Sequence, residues 1–167
     1  MRSLPRARSA AVVVLCLALA GALAAPVSAR PASDSLRADL DGAPIKLSDV
    51  GNWYCHDFDY PSIHCFSSPG SLETSIRAAL ATTAVDFVTV YEFTGFAGSY
   101  MYMSQDYSVL ATIGWNDRIS SLKGRNGELS HFYVDWFYTG ASYSVCCDVQ
   151  LTSLGSYDNT FSSVHRN

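Results

Sequence analysis

Positive charge is scarce in this chain of 167 residues. Arg2, Arg6 and Arg8 account for three of the 11 Lys and Arg residues; without them eight remain against 15 Asp and Glu, a formal charge of −7. No Lys/Arg cluster follows residue 30. A nucleic-acid partner needs a basic face to neutralise phosphates and release counterions, so no nucleic acid is expected as a partner. An acidic surface suits cations instead. Signatures of catalysis are missing as well: there is no EF-hand loop, phosphate-cradling glycine loop or HExxH helix. The many serines occupy turn contexts without a GxSxG nucleophile turn, so the chain is not expected to be an enzyme. Long apolar runs are also lacking, since the stretch from Ala10 to Ala25 falls short of the roughly 20 residues that span a bilayer.

That stretch follows a positive n-region and precedes Val27-Ser28-Ala29, a small-residue cleavage site, so residues 1–29 read as a secretory signal peptide. Residues 30–167 follow as a secreted protein, long enough for one domain with an ordered extension and without a membrane span. Cys16 leaves with the signal segment. Cys55, Cys65, Cys146 and Cys147 remain, an even number in an oxidising compartment, which implies two disulfides. Three connectivities are open. Adjacent strand residues point to opposite faces, so Cys146 and Cys147 are expected to have separate distant partners, in the segment around Cys55 and Cys65.

Residues 30–50 show no strong periodicity and read as a leader arm. From Asn52 to Phe66, aromatics, cysteines and two histidines surround Asp57, Asp59, Tyr60 and Pro61, as in two short strands joined by a turn. Ser71 as N-cap, Glu73 in the first turn, and Leu72, Ile76 and Leu80 at four-residue spacing predict one short amphipathic helix ending near Thr82. Residues 30–84 thus form an N-terminal extension containing a cysteine-bearing hairpin and a short helix.

From Val85 onward β-branched and aromatic residues alternate with Gly, Asn, Asp and Ser, and the pattern occurs twice at one constant offset. That offset carries Tyr91 onto Tyr133, Phe96 onto Tyr138, Gly98 onto Gly140, Asp106 onto Asp148, and Trp115 onto Tyr157. A repeat of this length holds about four strands with their turns, and four antiparallel strands make one Greek key. Aromatic, four residues, aromatic, one residue and Gly describe a tight hairpin in which the glycine supplies a positive φ or a close backbone approach. Two such units, each with one apolar face, stack into a sandwich.

Two signatures coincide in each copy. The hairpin appears as Tyr91, Phe96 and Gly98, then as Tyr133, Tyr138 and Gly140. A six-residue stretch of two Asn/Asp, two variable and two Ser/Thr positions appears as Asn116 to Ser121 and as Asp158 to Ser163. In these features residues 85–167 resemble the βγ-crystallin superfamily, in particular its secreted microbial members. The resemblance implies an all-β, two-Greek-key sandwich and makes each six-residue stretch a calcium clamp, with each clamp contributing to both of two Ca2+ sites. The implied side-chain ligands are Asp117 and Asn159 at the second position and the hydroxyls of Ser120 and Ser162 at the fifth. Backbone carbonyls of Arg118 and Thr160, and of Glu92 and Val134 in the hairpins, complete the implied shell. Calcium takes six to eight hard oxygens in irregular geometry, and with few charged ligands a dissociation constant on the order of 10⁻⁴ M is expected. Arg118 brings a positive charge close to that shell. Turn formation by Asn, Asp and Ser is the competing explanation of the same residues.

Cys55, His56, His64 and Cys65 have the makings of a zinc site, but adjacent strand side chains point apart and exported cysteines oxidise. His131 and His165 read as surface or packing residues. Tyr100 and Tyr102, alternating with Met101 and Met103, read as strand packing. Fold does not fix function, and secreted relatives look like metalloproteinase inhibitors or cell-killing toxins. The alternatives to a non-catalytic calcium-binding protein are therefore a peptidase inhibitor, with Tyr60-Pro61-Ser62-Ile63 as its exposed loop, and an envelope-associated structural protein that docks through residues 30–84.

Overall fold

The computed structural model describes residues 35–79 and 86–167. The expected signal peptide and the expected helix end near Thr82 lie outside the described residues. In chain order the strands are β1 (Arg37–Leu40), β2 (Ala43–Ile45), β3 (Tyr54–His56), β4 (Ser62–Phe66), β5 (Val88–Phe93), β6 (Ala97–Met103), β7 (Ser121–Gly124), β8 (Leu129–Tyr133), β9 (Ser142–Cys146), β10 (Gln150–Leu151) and β11 (Ser163–Arg166). The helix α1 (Pro69–Ala79) stands between β4 and β5.

The repeat is written into the pairing. Tyr91 on β5 faces Tyr100 on β6 and Ser121 on β7; at the same offset as in the sequence, Tyr133 on β8 faces Ser142 on β9 and Ser163 on β11. The third strand of each unit crosses to the other unit. Strand β10 pairs with β7, and Tyr107, in the equivalent place of the first unit, bridges Val164 on β11. One sheet therefore runs β10-β7-β5-β6-β3-β4-β1-β2 and the other β11-β8-β9. This exchange interlocks two Greek keys across one apolar layer, where Trp115, Ile119, Leu122, Phe132 and Phe161 are fully buried.

The extension prolongs the first sheet. Strand β3 adds in parallel to the free edge of β6, β4 pairs with β3, and β1 lies parallel to β4. The leader arm expected over residues 30–50 is thus corrected: β1 and β2 form a hairpin whose turn residues Asp41 and Gly42 have φ of 49° and 84°. Alternation on β6 divides its side chains between two clusters. Met101 and Met103 enter the sandwich, while Tyr100 and Tyr102 lie under α1 with Leu72, Ile76 and Tyr91. The helix begins at Pro69, two residues before the expected cap Ser71. Ser68 supplies the cap, its hydroxyl accepting the Ser71 N–H at 3.2 Å, and Pro69 fits the first turn because its missing N–H needs no partner there.

Both disulfides differ from the expected pairing. Cys55 and Cys65 sit directly opposite each other on β3 and β4 and are bonded, and Cys146 is bonded to Cys147. Opposite-face alternation does not apply to the second pair, because Cys147 has left β9 for a turn with φ of 64°. The expected inhibitor loop is also not a free loop. Ser62 and Ile63 are buried in β4, which is paired on both edges, and only Tyr60 stands out, 52% exposed.

Candidate metal centre

The two clamp stretches are held by the same backbone ties, one set in each repeat. The Ser120 N–H donates to the Tyr91 carbonyl at 3.0 Å and the Ser162 N–H to the Tyr133 carbonyl at 2.8 Å. Each fifth-position serine is thereby tied to the residue that precedes an expected hairpin ligand, Glu92 in one copy and Val134 in the other. The stretches also cross. Asp117 N–H donates to Phe161 O and Asn159 N–H to Ile119 O, both at 3.0 Å. Asp117 and Asn159 stand in the left-handed region at φ of 53° and 54°, a conformation that Asp and Asn tolerate better than other side-chain-bearing residues.

The sixth-position serines do a different job. Ser121 Oγ donates to Phe93 O at 2.6 Å and accepts from Phe96 N–H at 3.0 Å; Ser163 Oγ repeats this with Asp135 O at 2.7 Å and Tyr138 N–H at 3.0 Å. They pin each hairpin to its clamp. Gly98 and Gly140, at φ of 80° and 78°, complete the hairpins, and a Cβ on Gly140 would run into the Asp135 carboxylate.

Of the expected ligand oxygens, Ser120 Oγ and Asn159 Oδ1 meet across the two stretches at 3.2 Å. The Arg118 and Thr160 carbonyls accept no hydrogen bond among the described residues, and free carbonyls of this kind suit a hard cation. Asp117 turns one carboxylate oxygen to Asn116 Nδ2, at 2.6 Å. Ser162 opens onto a cleft of about 350 Å³ shared with Asp135, Trp136 and Thr139. Among the described residues no three His, Cys, Asp or Glu side chains converge, so the donor set is one of carbonyl, hydroxyl and amide oxygens with a single carboxylate. That set fits calcium better than zinc.

Arg118 does not point its charge at the clamp. Its guanidinium donates to Glu92 Oε1 at 2.7 Å, Asn52 Oδ1 at 3.1 Å and Gly114 O at 3.2 Å. Burial pushes the Glu92 carboxyl up, but hydrogen bonds from Arg118 and Ser99 outweigh it and hold the group below its ordinary value. Ser99 Oγ lies within hydrogen-bond distance of both Glu92 Oε2, at 3.0 Å, and Gly51 O, at 2.7 Å. The extension therefore reaches the first clamp through Gly51 and Asn52, a contact that residue types in the clamps do not reveal. The second copy has no counterpart: Thr160 stands for Arg118, Val134 for Glu92 and Ala141 for Ser99.

The cysteine-histidine group holds no zinc thiolates, since Cys55 and Cys65 are bonded to each other. His64 instead lies between Asp39, at 2.7 Å, and Asp59, at 3.4 Å.

No protein-family model and no curated protein matches the chain. Solved structures do. A βγ-crystallin from an archaeon is 28% identical over 51% of this chain and 100% of its own, with a TM-score of 0.44. A βγ-crystallin from Ciona intestinalis is 25% identical over 48% of this chain and 98% of its own, with a TM-score of 0.45. A βγ-crystallin domain from Flavobacterium johnsoniae is 28% identical over 49% of this chain and 94% of its own, with a TM-score of 0.43. The exchanged third strands, the matching registers of the two repeats and the duplicated serine ties give residues 86–167 the βγ-crystallin fold, two Greek keys closed into one sandwich.

Proposed function

We propose that this protein is a secreted, non-catalytic calcium-binding protein with two sites, one at each crossing of the clamp stretches. The first site would draw on the Glu92 carbonyl, Ser120 Oγ, Asn159 Oδ1 and the Thr160 carbonyl. The second would draw on the Val134 carbonyl, Ser162 Oγ, the Asp117 carboxylate and the Arg118 carbonyl. The observation that supports this reading is the hydrogen bond that Ser120 Oγ donates to Asn159 Oδ1 at 3.2 Å, because it holds two oxygens of the expected ligand types from different repeats side by side, where one cation could replace the shared proton. Arg118, the residue most at odds with a cation, is neutralised by Glu92 on the side of the extension. Bound calcium would stabilise the fold by mass action.

Calorimetric titration of chelator-stripped protein with calcium tests the reading. Two sites with dissociation constants on the order of 10⁻⁴ M are expected. Asn159→Gly and Asp117→Gly keep the left-handed backbone and remove one ligand each, so each variant should lose one site and retain the other. No heat up to several millimolar calcium, above the extracellular-module range, would refute the proposal.

A further inference from the structure

The two hairpins differ at their tips. Where the first has Phe93-Thr94-Gly95, the second has Asp135-Trp136-Phe137. Trp136 is 51% exposed and Phe137 65% exposed. Phe137 also occupies the left-handed region at φ of 59°, the place of Gly95 at φ of 69° in the other repeat. Holding an aromatic residue there costs about 1–2 kcal/mol relative to glycine, and with most of the residue left in water burial offsets little of it.

The tip is nevertheless rigid. Trp136 Nε1–H donates to Asn116 Oδ1 at 3.1 Å, which anchors the indole to the neighbouring loop. Thr139 Oγ1 donates to the Trp136 carbonyl at 2.8 Å, and Ser163 Oγ donates to the Asp135 carbonyl at 2.7 Å. Beside the indole lies the cleft of about 350 Å³ lined by Asp135, Trp136, Thr139 and Ser162. A fixed aromatic plane next to a carboxylate and two hydroxyls, with no Lys or Arg on the lining, is a surface preorganised for one kind of ligand.

We infer that this tip and cleft bind a neutral saccharide of β-1,4-linked, gluco-configured units. Equatorial hydroxyls leave the ring faces of such sugars lined with C–H groups, which stack flat on an indole. The Asp135 carboxylate accepts from the hydroxyls at the ring edge, and the Thr139 hydroxyl completes the polar contacts. Charge separates this ligand from a membrane: an anionic lipid surface needs Lys or Arg beside the aromatic wedge, and this lining has none on a chain of formal charge −7 after signal removal. The sugar contacts come from Trp136, Asp135 and Thr139 and need no calcium; the cleft shares Ser162 with the second proposed calcium site at its edge, and the inference goes beyond the function proposed above.

Calorimetric titration with cellohexaose and with N-acetylchitohexaose, in chelator, tests it, and the two probes separate a glucan source from a chitin source. Saturable binding of at least one is expected, with α-linked maltohexaose at least about tenfold weaker because its helical chain turns successive ring faces away from one plane, whereas a β-1,4 chain keeps them flat for stacking on an indole. Trp136→Ala should weaken binding at least about tenfold and Trp136→Phe by no more than about threefold, with thermal midpoints unchanged. No saturable binding of either probe at several millimolar, equal binding of maltohexaose, or unchanged binding by Trp136→Ala would each overturn the inference. Co-sedimentation with phosphatidylserine vesicles in place of sugar binding would do the same. Calcium titration of the same Trp136→Ala protein reads the calcium reading separately, since that substitution touches no expected ligand.

Discussion

His56 and Asp57 are neighbours in sequence, both buried, and titrate in opposite senses. Burial, aided by the nearby His64, pushes the His56 ring down from 6.5 to about 4. Burial also pushes the Asp57 carboxyl up from 3.8 to about 6, against hydrogen bonds donated by Tyr107, Ser104 and Gln105. Between pH 4 and 6 the folded His56 binds fewer protons than the unfolded one, so its contribution to stability falls as pH falls. The folded Asp57 binds more protons than the unfolded one in that window, so its contribution is lost as pH rises through 6. The two slopes oppose each other. Relative to wild type, Asp57→Asn should make unfolding free energy rise more steeply with pH between 4 and 6, and His56→Gln should make it fall, each by up to about 1.4 kcal/mol per pH unit. Denaturant melts across that range check this, and changes of slope from wild type with the same sign for both variants would contradict it.

At the scale of elements, the extension is joined to the first Greek key by backbone pressed against backbone. A Cβ on Gly51 would meet Gly114 O and the Arg118 guanidinium, and a Cβ on Gly114 would meet Ser48 O. Gly51→Ala should therefore destabilise by about 1–3 kcal/mol, as overpacking does. Gly70, in the first turn of α1 with nothing within 4 Å of its Cβ position, should accept Ala with a gain of about 0.5–1 kcal/mol. Urea midpoints distinguish the two. The Greek keys were legible in the sequence because both copies use the same tie residues: Ser121 and Ser163 hold their hairpins, so drift at either place would break the fold. Strands β1 and β2 escaped notice because runs of four and three residues are too short for a period of two to register, although Asp41-Gly42 is a recognisable hairpin turn. The disulfides escaped because alternation holds only inside a strand, and Cys147 is outside one. Of the expected ligands, Ser120 and Asn159 stand within hydrogen-bond distance across the two copies. The contact of Asn52 with Arg118 spans 66 residues and has no local signal.

For the molecule as a whole, the pseudo-symmetry of the Greek keys is broken by what surrounds them. The extension adds four strands to one sheet, and among the described residues it reaches the clamp that carries Arg118. The second clamp faces an open cleft and the aromatic hairpin tip. Duplication thus builds two similar crossings of the clamp stretches, and the unduplicated segment makes them unequal. The most direct measurement of the central claim is an anomalous difference map from a calcium-soaked crystal of the protein. Two peaks are predicted, one beside Ser120 Oγ and Asn159 Oδ1 and one beside Ser162 Oγ and the Asp117 carboxylate. A map with neither peak, or with calcium only at surface carboxylates away from both crossings, would contradict the account.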